Sequence, residues 1–194
     1  MRAARRQYLD GQRVDLTVLA RQLGLGRATI YRWFGSRDRL LGEIIASELE
    51  TLIDLTRRSV RRRGVDGLLE VFDRINRSLA HSGALGRYLE REKAAAMRVL
   101  TCSTGAVQAR AVSCVADLIT AEVAAGRYRP PADPETLAYA IVRLAEAFLY
   151  NDAAISIRGD HVRLREVEAA LLGGAEVRYS RAPGSPGRRA RAAH

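Results

Sequence analysis

Between positions 27 and 37 the chain gathers Arg27, Arg32 and Arg37 with the hydroxyls of Thr29 and Tyr31 and the indole of Trp33. Guanidinium groups neutralise phosphates, and their planar fork also matches O6 and N7 of guanine. Such residues suit the reading of a polyanion rather than the making of bonds. Elsewhere no nucleophile elbow, phosphate loop or dinucleotide fingerprint occurs. His81, His161 and His194 are scattered and lack cysteines or acids at metal-ligand spacing, so neither a metal nor a cofactor is expected.

Two short helices must hold these side chains. Leu16, Leu19, Ala20 and Leu23 recur at helical spacing, giving the first helix one apolar face. Asp15 stands where a side-chain oxygen caps such a helix, and Gly24 where a left-handed residue ends it. Leu25 points into the core, and a second run after Gly26 sets Ile30 and Phe34 one turn apart as core residues. Two short helices joined by a glycine-containing turn form a helix-turn-helix, whose second helix enters the DNA major groove. Its exposed face is predicted to offer Arg27, Ala28, Tyr31 and Arg32. Arg27, at the N-terminus, suits a bidentate guanine contact, and Ala28 suits a thymine methyl. Trp33 either flanks the DNA backbone through its N–H or closes the small core.

The run GLGRATIYRWFGSRDRLL, from Gly24 to Leu41, resembles the DNA-binding motif of TetR-family regulators. Gly24, Thr29, Tyr31, Phe34, Arg37, Leu40 and Leu41 sit at the matching positions. YLDG at Tyr8–Gly11 and YRW at Tyr31–Trp33 are similar to the QsdR-like subset. The resemblance implies phosphate or base contacts from Thr29 and Tyr31, and a phosphate contact from Arg37 at the start of the next helix. Two departures matter. Asp15 replaces a Thr or Ser and would repel phosphate, and Gly26 replaces a Ser and gives up a hydroxyl.

Charge placement points to the same partner. Residues 1 to 41 hold nine arginines against Asp10, Asp15 and Asp38, and residues 175 to 194 hold five against Glu176, so these segments account for the formal +10. The GC-rich codon usage implied by 31 Arg among 32 basic residues explains the choice of Arg, not its position. A polyanion at the N-terminal end explains the position. With 47% hydrophobic residues the chain is globular, and no apolar run is long enough to span a bilayer. No apolar core follows Arg2, Arg5 and Arg6, so a cytoplasmic protein is expected, with Cys102 and Cys114 as reduced, partly buried thiols.

Beyond the motif only helical patterns occur, and the fold class is all-α. We divide the chain into a helix-turn-helix domain at 1–41, a helical regulatory and dimerisation domain at 42–173, and a disordered basic tail at 174–194. The first helix, Arg2 to Leu9, is short for the family, as either a truncated start or a trimmed three-helix DNA-binding unit would make it. Arg37 to Arg63 is predicted as one helix ended by Gly64, with an apolar stripe that includes Leu55. Val65–Ala80, Tyr88–Leu100 and Ala106–Ala125 follow. Asp133 caps the next helix with Pro134 at its first position, and Gly159 separates it from Asp160–Leu172. The charges of Glu90, Glu92 and Lys93 read as a solvated face.

The resemblance implies a homodimer paired through the helices Asp133–Ile157 and Asp160–Leu172, and a small-molecule effector among the central helices. Phe72, Tyr88, Met97, Tyr139 and Phe148 are the candidate lining residues, although each also reads as ordinary core. The expected function is a homodimeric transcriptional repressor released from a pseudopalindromic double-stranded DNA operator by its effector, with no membrane partner and no enzymatic activity. The alternative is a helical interaction or signalling protein whose degenerate motif no longer reads DNA.

Overall fold

The computed structural model describes residues 1–151 and 159–173. The expected continuation of one helix to Ile157 and the basic tail at 174–194 lie outside the described residues. Among those described there are ten α-helices and no strand: α1 Arg2–Leu9, α2 Leu16–Gln22, α3 Arg27–Phe34, α4 Arg37–Ser59, α5 Gly64–Ala80, α6 Gly83–Arg91, α7 Lys93–Thr101, α8 Ala106–Ala124, α9 Pro134–Glu146 and α10 His161–Leu171. A π-helical turn, Ala147–Asn151, extends α9. No described helix is long and apolar enough to cross a membrane.

Local chemistry sets most boundaries. Asp15 Oδ1 accepts from the Thr17 and Val18 N–H groups, at 2.7 and 3.2 Å, and starts α2. Gly24, at φ +65°, turns the chain between α2 and α3 in the left-handed region where a side chain is penalised. Ser36 caps α4, its hydroxyl oxygen accepting from Arg39 N–H at 3.1 Å. Asp133 does the same for α9 through Thr136 N–H at 2.9 Å, with Pro134 in the first turn.

Two expected helices end elsewhere. The long helix stops at Ser59 rather than Arg63, because Val60 turns inward with extended backbone and is 3% exposed. The Thr56 and Ser59 hydroxyls donate to the carbonyls of Leu52 and Thr56, both at 2.7 Å. Gly64 therefore does not end α4 but opens α5 at φ +64°. Its N–H donates to Glu122 at 2.7 Å, and a Cβ there would stand 2.9 Å from the Arg127 carbonyl oxygen. Tyr88–Leu100 is two helices instead of one, broken where Glu92 leaves helical geometry at φ −139°, ψ 45°.

Helix α4 is the spine of the molecule and takes part in two cores. Its first half, with Leu40, Leu41, Ile44 and Ile45, packs among α1, α2, α3, α6 and α7. Its second half, through Ile53, joins α5, α8 and α9 in the other core. Leu55 is the exception to the expected stripe and is 63% exposed. Position 41 thus falls inside α4, and the first core runs across it. Helix α8 lies along both α4 and α9, while α10 covers α5. Tyr128 joins that end by donating its hydroxyl to the Leu172 carbonyl at 2.9 Å.

Candidate nucleic-acid interface and buried cavity

The core of the small N-terminal unit needs Ile30 from α3, which is fully buried, so the opposite side of that helix must face solvent. Arg27, Ala28, Tyr31, Arg32 and Trp33 are exposed there, with Thr29 half-buried. Of the two readings of Trp33, closure of the core does not hold. Trp33 is 58% exposed and makes a T-shaped contact with the Phe34 ring, centroids 6.5 Å apart. Neither Arg27 nor Arg32 has an acidic partner within ion-pair distance among the described residues, so both charges are available to a ligand. Gly26 caps α3 without a side-chain bond, which leaves the first N–H groups of the helix open.

Arg37 is placed differently. Its Nη1 and Nη2 donate to the two Glu92 oxygens at 2.6 and 2.7 Å, and its Nε donates to the Val14 carbonyl. The pair is mostly buried, with 21% and 19% of the two side chains exposed. A phosphate contact from Arg37 would require it to leave Glu92. Glu92 itself is not the solvated surface residue expected of it. Similar ties surround it: Arg98 donates to Asp38 at 2.7 Å, Arg91 to the Gly11 carbonyl, and Arg5 to Glu48. Hydrogen bonding to Asp38 holds the Arg98 guanidinium above its usual pKa, and Glu48 does the same for Arg5. Arg5 is thus engaged within the fold, whereas Arg2 and Arg6 lie exposed.

A cavity of about 70 Å³ lies in the second core, between α4, α5, α8, α9 and the π turn. Its wall is largely apolar, with Leu49, Ile53, Phe72 and Ile141 among the lining residues, but Asn76, Gln108, Glu146 and Glu168 also line it. Asn76 Nδ2 donates to Glu168 Oε1 at 2.9 Å. Arg143 Nη1 donates to Glu146 at 2.7 Å. Glu168 Oε2 and Gln108 Nε2 are buried without hydrogen-bond partners. Burial pushes the Glu168 carboxyl up to about 7 and raises that of Glu146.

Residues 63–173 match the family model of the tetracyclin repressor-like C-terminal domain. The chain belongs to the TetR family. Among solved structures it is similar to the R. erythropolis transcriptional repressor QsdR, from the TetR family, with 28% identity and a TM-score of 0.82. That match covers 91% of this chain and 93% of the other. No curated protein matches it in sequence. The TetR family is one of regulators rather than enzymes, and this all-helical member is homologous to a transcriptional repressor within it.

In this TetR-family chain the candidate lining residues separate. Phe72 lines the cavity. Tyr88 does not: it meets Tyr8 edge-on in the first core, centroids 6.3 Å apart, and burial pushes its phenol up to about 12. Met97 packs against that same core. Tyr139 is 49% exposed on the outer face of α9, and the half-buried Phe148 lies outside the lining. Aromatic type alone does not tell an inward position from an outward one on a helix that is apolar nearly all round. The polar lining residues were missed, although a Gln, an Asn and two Glu within amphipathic helices are a usable signal once the buried face is known. His81 and His161 are not scattered; their rings meet edge to face, centroids 6.2 Å apart. Among the described residues no His, Cys, Asp or Glu group is placed to hold a metal ion. Cys102 is exposed, rather than partly buried, and both thiols are free.

Proposed function

We propose that this TetR-family chain is a homodimeric repressor that reads a pseudopalindromic operator through α3 and lets go when a small molecule fills the cavity. The observation that carries the first half is the unpaired, exposed face of α3. Arg27 would read guanine, Ala28 a thymine methyl, and Thr29, Tyr31, Arg32 and Trp33 the sugar-phosphate backbone. Residues 1–41 would be the reading head, and 42–173 the sensor and dimer. The dimer would use the outward faces of α9 and α10, where Tyr139, Val162 and Val167 stand exposed. Two reading heads on such a dimer reach half-sites about 34–36 Å apart, or a multiple of that.

Release follows from the shared spine. Leu49 and Ile53 of α4 and Leu100 of α7 line the cavity. The other halves of those helices hold the reading head, α4 through Leu40 and Leu41 and α7 through the Glu92–Arg37 pair at its start. A ligand that fits one setting of α4 and α7 better than another shifts the spacing of the two heads by that difference in affinity. The test is binding of the full chain to a palindromic duplex from its own upstream region, at two salt concentrations, beside a scrambled duplex. Specific binding with a steep salt slope is expected. Equal affinity for both duplexes would favour a protein that no longer reads DNA.

A further inference from the structure

The cavity is chemically lopsided. Two carboxyl groups, Glu146 and Glu168, line it, and among the described residues no Arg, Lys or His does. Glu146 has its counterion in Arg143, on the same helix. Glu168 has none, although it is fully buried. Arg165, on its own helix, donates instead to the Leu69 carbonyl at 3.2 Å. Asn76 satisfies one Glu168 oxygen, and the other points to no protein donor. A buried carboxyl left this way costs stability, whereas an apolar residue of the same volume would not. Gln108 Nε2 is also buried at the same cavity and makes no hydrogen bond of normal geometry, although the amide lies close enough to Glu146 to offset part of the rise that burial gives that carboxyl.

Taking the cavity as the effector site proposed above, we propose that it binds a small, largely apolar amine whose ammonium group donates to Glu168 Oε2. The cation supplies the countercharge, and its apolar body lies against Phe72, Ile75 and Ile141. Charge-assisted N–H to carboxylate bonds are the stronger class of hydrogen bond, and more so away from water. An anionic ligand would meet two carboxyl groups and no base. A neutral alcohol could donate to Glu168 but would supply no charge to favour the carboxylate over the neutral acid.

Three probes of one size and different head charge test this on the full chain: propylamine, 1-propanol and propionate, small enough for about 70 Å³, followed by calorimetry. Propylamine is expected to bind about tenfold more tightly than either of the others. Glu168→Gln should remove that advantage and leave 1-propanol within about twofold of its wild-type affinity. The wild-type comparison needs no variant, so a poorly folding Glu168→Gln would not blunt it. Equal or better binding of the alcohol or the carboxylate overturns the proposal, as does binding of none of the three. Either result leaves operator recognition untouched, since that is measured without ligand. Amine binding that fails to release the operator supports the Glu168 site and refutes its role as the effector switch.

Discussion

Glu92 holds Arg37 through both carboxylate oxygens, at 2.6 and 2.7 Å, across 55 positions of sequence. The first of these residues joins α6 to α7 and the second opens α4 beside the helix-turn-helix. The pair thereby fastens the N-terminal unit to the later helices at the break between α6 and α7. A motif position that resemblance assigns to phosphate here serves the inside of the protein.

That arrangement separates two arginines by experiment. Arg37→Ala should leave the salt slope of operator binding unchanged, because its charge is already committed to Glu92. Arg32→Ala should reduce the slope by about one unit. Arg37→Ala should also destabilise the fold by about 1.5–3 kcal/mol, the range for a charged hydrogen bond that leaves its partner buried. Fluorescence anisotropy against salt, with urea unfolding, reads both. A slope lowered equally by the two substitutions would return Arg37 to the phosphates.

Arg27→Ala should relax the base preference at one position of each half-site, at a cost of about 1–3 kcal/mol. Selection from a randomised operator would show it as one lost guanine on each side. Uniform weakening across all sequences would make Arg27 a backbone contact instead.

Asp15 caps α2 at the expense of a negative charge beside the proposed DNA-reading face. Its hydrogen bonds from Val18 and Thr17 N–H hold the carboxyl below its usual pKa. The stabilisation is therefore present above the usual aspartate range and is lost as pH falls through the lowered value. Asp15→Ala should cost about 1 kcal/mol in thermal unfolding. Asp15→Thr should recover most of that loss and tighten operator binding at low salt. A weaker complex with Asp15→Thr would show that the carboxylate is not repelling DNA.

Glu168 has the opposite sign. Asn76 and Asp73 face it from α5, Arg165 shares its helix, and Glu146 and Tyr150 line the same cavity. Its folded value of about 7 stands above the ordinary 4.5, so the fold accepts the neutral acid and resists the anion. The penalty is absent below the ordinary value, grows between the two and is complete above the folded one. Glu168→Gln keeps an oxygen for Asn76 and should stabilise the unliganded protein by about 3 kcal/mol at pH 8, falling below about 1 at pH 5. Urea denaturation at the two pH values measures it. A gain independent of pH would place the cost in packing rather than charge.

The helix-turn-helix was legible because its determinants are local: Asp15 caps within three residues, Gly24 turns within one, and Ile30 and Phe34 are one turn apart. The caps at Ser36 and Asp133 belong to the same class, although only Asp133 was anticipated. What could not be read rests on distant pairs. Arg37 meets Glu92, and Asn76 meets Glu168 across 92 positions, so neither polar residue announces its burial. The break at Glu92 was hidden for the same reason, since nothing in the local sequence competes with helix there. Tyr139 misled through type: an aromatic on the largely apolar α9 faces outward, where a second protomer is proposed to cover it.

Helix α4 has 23 residues, about 35 Å at the rise of an α-helix, with the cavity against one half and the reading head on the other. A lever of that length has gain. A tilt of roughly 5° about its far end carries the near end about 3 Å, close to the 3.4 Å that separates successive base pairs. On the function proposed above, a side-chain-sized wedge at Leu49 and Ile53 would be enough to put α3 out of step with a half-site by one rung of the duplex.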